Sequence, residues 1–66
     1  MFEIRQLCDN LSKKLCWNIV TDIDYRYEVC HIVVNGKTVD SIEEYHVAEN
    51  LESVLRRIEK VVYERL

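Results

Sequence analysis

Asn35-Gly36 most limits how this 66-residue chain can fold, because it holds the chain's only glycine, proline is absent, and both flanks are strand-like. Asn and Gly in succession tolerate the positive φ of a type I′ turn, whose twist suits two antiparallel strands. Around it, residues 17 to 39 read WNIVTDIDYRYEVCHIVVNGKTV, rich in the β-branched and aromatic residues that strands prefer. The chain therefore turns back on itself at Gly36, and a second reversal is expected near Asp22 to Asp24. A three-residue loop there sets Ile19 across from Tyr27 and Trp17 across from Val29. Strand alternation then gathers Trp17, Ile19, Tyr25, Tyr27, Val29, His31 and Val33 on one apolar face.

Helical periodicity brackets this region. From Phe2 to Leu15, Ile4, Leu7, Leu11 and Leu15 recur at helical spacing with Cys8 beside them, while Glu3, Arg5, Asp9, Asn10, Lys13 and Lys14 fall on the other side. From Leu51 to Leu66, the residues Leu51, Val54, Leu55, Ile58, Val61, Val62 and Leu66 form a second stripe, with Asn50 as N-cap and Glu52 one turn ahead of Arg56. Lys37 to Val47 reads as a third strand re-registered by a bulge near Ser41. The alternative takes Ser41 as an N-cap, completes a capping box at Glu44 and starts the last helix there. The expected fold is a single α+β domain over residues 1–66, in the order α-β-β-β-α, a three-stranded antiparallel meander packed against two amphipathic helices; α-β-β-α is the alternative.

A chain this short sits near the lower limit at which an unaided core offsets chain entropy. With 48% apolar and 32% charged residues a folded core is still expected. The longest apolar runs, such as Ile32 to Val34, fall far short of the roughly 20 residues a membrane helix requires. The opening MFEIRQ lacks the layout of a signal peptide, so a cytoplasmic location is expected. Three cysteines suit that compartment. Cys8 and Cys16, about 12 Å apart along one helix, cannot bridge, so three free, mostly buried thiols are expected.

Cys30 and His31 adjoin in a strand and so point to opposite faces, which bars them from acting on a common substrate or metal. His31 is read as a sheet histidine hydrogen-bonded to Tyr25, Tyr27 or a partner chain. His46 lies too far along the hairpin to join it. Metal-ligand spacings, phosphate-cradling loops and nucleophile elbows are missing from the sequence. No cofactor, metal site or catalytic residue is expected, and the chain is read as non-enzymatic.

Binding remains. Double-stranded RNA-binding domains share this order of elements, so nucleic acid is weighed on charge rather than layout. Arg56, Arg57 and Lys60 form a basic patch, but the net charge of −3 opposes phosphate attraction, and nucleic-acid binding through that patch is a secondary reading. With the helices over the Trp17 face, Val20, Cys30, Ile32 and Val34, joined by Ile42, would emerge on the other face as an apolar surface too large for so short a chain to cover. The favoured expectation is a homodimeric regulator or adaptor using that surface. An acidic rim of Asp40, Glu43 and Glu44 would contact a basic protein partner. A narrower version is an acidic inhibitor that occupies another protein's nucleic-acid site, of the kind mobile-element or viral proteins supply.

Overall fold

Both residues of the Asn35-Gly36 reversal adopt positive φ, 51° and 84°, in the computed structural model, which describes residues 2–65. The elements are α1 (Phe2–Leu15), β1 (Ile19–Asp24), β2 (Val29–Val34), β3 (Lys37–Glu43), α2 (Glu44–Glu49) and α3 (Leu51–Tyr63). The strands form one antiparallel sheet in the order β1-β2-β3. This is the expected small α+β fold, with one short helix added before the last. Leu66, assigned to the final helical stripe, lies outside the described residues.

α1 ends because Cys16 takes a left-handed conformation, φ 57°, and lets the Trp17 N–H donate to the Ser12 carbonyl at 3.2 Å. That six-residue closure is the Schellman motif, which glycine ordinarily supplies. The Ser12 hydroxyl also donates to the Trp17 carbonyl. A side chain in this region is strained, and Cys16 is exposed with little packing to lose. Cys16→Gly is therefore expected to stabilise the protein by about 1 kcal/mol; a lower urea midpoint for the variant would contradict the account.

The second reversal is a four-residue turn, Tyr25 to Glu28, and not a loop at Asp22 to Asp24. Asp24 closes it by accepting the Arg26 N–H on its side chain at 3.0 Å, an Asx turn, and Glu28 supplies a positive φ of 53°. The resulting register pairs Ile19 with Val34, Thr21 with Ile32 and Ile23 with Cys30. Trp17 precedes β1 and packs half-buried at the core margin, while Tyr25 and Tyr27 ride on the turn, 84% and 68% exposed. The tyrosines therefore leave the core face to which alternation had assigned them.

Both helices cover the same face of the sheet. Ile4, Cys8 and Leu11 of α1, and Val54, Ile58 and Val62 of α3, join Ile19, Cys30, Ile32, Val34 and Ile42 in one buried cluster. Inward and outward residues alternate strictly along β2. On β3 the pairing moves from Ile32–Asp40 to Val33–Thr38, so Val39 is an extra bulge residue two positions before Ser41. β3 stops at Glu43 because its partner there is Val29, the first residue of β2. Beyond that point no strand remains to pair with. The Glu44 N–H donates to the Glu28 carbonyl at 2.9 Å, and residues 44–49, expected in part as strand, coil into α2. Asn50 caps α3 as expected, its side chain accepting the Ser53 N–H at 3.1 Å.

Cys8 and Cys30 are buried and unpaired, whereas Cys16 is exposed. Burial, followed by the neighbouring Cys30 and Asp9, pushes the Cys8 thiol from 9.0 to about 11, and burial raises Cys30 in the same direction. The folded state thus keeps a proton that the unfolded chain releases first. The associated stability is present below about pH 9 and is lost as pH rises towards 11. Unfolding free energies from urea titrations across that window should fall by about 1–2 kcal/mol more in the native protein than in Cys8→Ala. Equal slopes would show that Cys8 is not responsible.

Candidate interaction surface

Among the described residues, none covers the side of the sheet away from the helices. Along its middle run Val29, His31 and Val33 of β2, all half-buried, and Val20 of β1, which is 46% exposed and pairs with Val33. Asp22 pairs with His31, and Asp24 with Val29, on one side; Ser41 and Glu43 pair with His31 and Val29 on the other. Alternation puts all of these on the open face. It is a valine strip flanked by carboxylates, with a histidine at its centre.

Four of the five expected interface residues lie elsewhere. Cys30, Ile32, Val34 and Ile42 are 0%, 0%, 6% and 1% exposed, sealed in the protomer's own core by α1 and α3; only Val20 reaches the open face. The cause is the turn. A reversal at Tyr25 to Glu28 changes the β1 partners and frees the even positions of β2 to meet the helices. Cys30 is therefore also out of reach of an interchain disulfide.

The acidic rim divides as well. Asp40 falls on the helix side of the bulge, where Arg57 of α3 grips it at both oxygens, Nε to Oδ2 at 2.9 Å and Nη2 to Oδ1 at 2.7 Å. Only 11% of its side chain is exposed, so it serves to hold α3 on β3 and not to meet a partner. Glu43 stays on the open face, and Glu44 sits in the first turn of α2. The same bonding alters the basic patch, since Arg57 is committed to Asp40 and Arg56 to Glu52. A contact 17 positions apart in sequence has no local signal; the Glu52–Arg56 pair does, through its helical spacing.

Cys30 and His31 face opposite sides, as strand geometry requires. His31 Nδ1 is hydrogen-bonded to Ser41 Oγ at 2.7 Å rather than to a tyrosine. Asp22, His31 and Ser41 thus form a row across the three strands. Acyl transfer needs N–H donors aimed at a developing oxyanion, whereas the N–H groups around His31 lie in the plane of the sheet, where β2 is paired on both sides. Concavities occur beside α1, at residues 23–28 and between α2 and α3, and Asp22, His31 and Ser41 line none of these. Among the described residues no three His, Cys, Asp or Glu side chains converge as metal ligands, and no helix is long and apolar enough to cross a membrane.

Charge is distributed unevenly. Residues 19–43 carry five carboxylates, Asp22, Asp24, Glu28, Asp40 and Glu43, against Arg26 and Lys37, which equals the net charge of −3 of the whole chain. The helices balance. Comparison with protein-family models, curated proteins and solved structures finds no match for this chain.

Proposed function

We propose that this protein is a non-catalytic interaction module that receives a basic protein partner on the open face of its sheet. The observation that carries the reading is the uncovered strip of Val20, Val29 and Val33 between Asp22 and Asp24 on one side and Glu43 on the other. An apolar centre with a charged margin is the usual make-up of a protein-binding patch. A second copy of this chain suits the face poorly, because a two-fold contact would oppose its carboxylates to their own counterparts. A partner with Lys or Arg around an apolar centre suits it well. Surfaces of that composition also bind nucleic acid, and in its narrower form the module is an acidic inhibitor of such a surface.

The test is a titration of isotope-labelled protein with a peptide of alternating Lys and Val, and separately with double-stranded RNA. Amide shifts should centre on residues 20, 22, 29, 31, 33 and 43 with the peptide and be lost in Val20→Lys/Val33→Lys, which removes the apolar centre and repels the peptide. RNA should produce none. Shifts centred on Arg56 and Lys60 with RNA would favour the nucleic-acid reading, and a silent sheet face with the peptide would remove the proposed one.

A further inference from the structure

We propose that β1 is a docking edge for a second copy of the chain, joined antiparallel about a two-fold axis at Thr21 to give a continuous six-stranded sheet. The proposal uses a different surface from the basic-partner reading and stands apart from it. It starts from the unequal protection of the two sheet edges. β3 begins at Lys37, carries the Val39 bulge and is tied to α3 by Arg57–Asp40, all features that discourage strand addition. β1, Ile-Val-Thr-Asp-Ile-Asp, is regularly paired over its whole length and has no Lys, Arg, Pro or bulge. Its aspartates point out of the sheet plane, not along the edge.

The bonding pattern fixes which groups are free. The Asn35 N–H donates to the Asn18 carbonyl at 2.7 Å. Antiparallel alternation then turns the backbone groups of Val20, Asp22 and Asp24 inward to β2, and those of Ile19, Thr21 and Ile23 outward to solvent. A two-fold axis can pass through an outward residue, at a hydrogen-bonded pair, or through an inward one, at a non-hydrogen-bonded pair. Centred on Asp22 it sets that carboxylate against its own copy, and centred on Val20 it pairs only residues 19–21 of β1 with one another. Centred on Ile23 it opposes Asp22 to Asp24 of the second copy twice over, and centred on Ile19 it pairs little of the strand. Centred on Thr21 it runs from 18 to 24, sets Ile19 against Ile23 on the helix side and Val20 against Asp22 on the open side, and places no two carboxylates directly opposite.

α1 supplies charge complementarity to the same axis. Two concavities of about 270 and 230 Å³ lie between α1 and the β1 edge, the first lined in part by Phe2, Arg5, Thr21 and Ile23, the second by Arg5, Asp9 and Thr21. Arg5 and Asp9 therefore flank Thr21, and neither makes an ion pair among the described residues. The two-fold brings Arg5 of each copy to Asp9 of the other. The interface thus answers its own charges, which the acidic sheet face cannot do.

Sedimentation equilibrium tests this. The native protein should dimerise, and Thr21→Pro, whose lost N–H faces solvent, should remain folded and become monomeric. Arg5→Glu and Asp9→Arg should each weaken the dimer roughly tenfold or more, through two repulsions apiece, whereas an equimolar mixture of the two should recover native affinity as a heterodimer. That recovery is independent of whether Thr21→Pro folds. A native monomer at the highest attainable concentration, a dimer indifferent to both charge reversals, or a mixture no tighter than its components would each overturn the proposal. None of these results bears on the sheet-face titration.

Discussion

Ile32→Asp is expected to leave the chain unfolded at any concentration, while Val33→Asp, one residue away, remains folded. Ile32 is fully buried in the middle of β2, enclosed by both helices. A carboxylate there would be desolvated with no partner, at more than about 4 kcal/mol. A domain of this size commands only about 3–5 kcal/mol in total. Val33 points the other way, to the open face beside Val20 and Thr38. Aspartate at that position forfeits strand propensity and a half-exposed contact, about 1 kcal/mol. Far-ultraviolet dichroism and amide dispersion read the pair directly. A folded Ile32→Asp with an unfolded Val33→Asp would reverse the two faces of the sheet.

Ile58→Ala should cost about 3 kcal/mol, the value for emptying a buried isoleucine site that cannot collapse. α3 is held to the core by one column, Val54, Ile58 and Val62, with Ile58 in the middle and fully buried. Its other cross-element bond, Arg57 to Asp40, is half in solvent and cannot hold the helix alone. Leu55, half-buried beside the column, should cost about 1 kcal/mol as alanine. Urea denaturation of the two variants gives the ranking, and equal costs would mean that α3 packs through a broader face than the Val54-Ile58-Val62 column.

Much of the fold was legible because its signals are local. The helical stripes of α1 and α3 repeat within a few residues, Asn50 stands beside the N–H it caps, and Asn35-Gly36 states its own backbone conformation. Two errors followed from one ambiguity. β2 is apolar at nearly every position, so alternation alone could not say whether Cys30, Ile32 and Val34 or Val29, His31 and Val33 faced the helices. Tyr25 and Tyr27 look like strand residues, and assigning them to the core chose the wrong set. What argued the other way was visible, since Asp22 and Asp24 alternate with Ile19, Thr21 and Ile23 and mark the solvent side of β1.

The sequence by itself determined the two long helices α1 and α3 with the strand-rich region between them, where the chain reverses at Gly36, and that Cys30 and His31 must part company, because each depends on backbone preferences and periodicities within a single element. Tertiary structure alone decided which side of the sheet the helices cover, where β3 ends, that Asp40 is engaged by Arg57, and that β1 is the edge without protection. Those outcomes depend on contacts between residues far apart in the chain. They are chosen by the burial of one shared core, in which a turn of four residues in place of three leaves Ile19 inside and exchanges the inside of β2 for its outside.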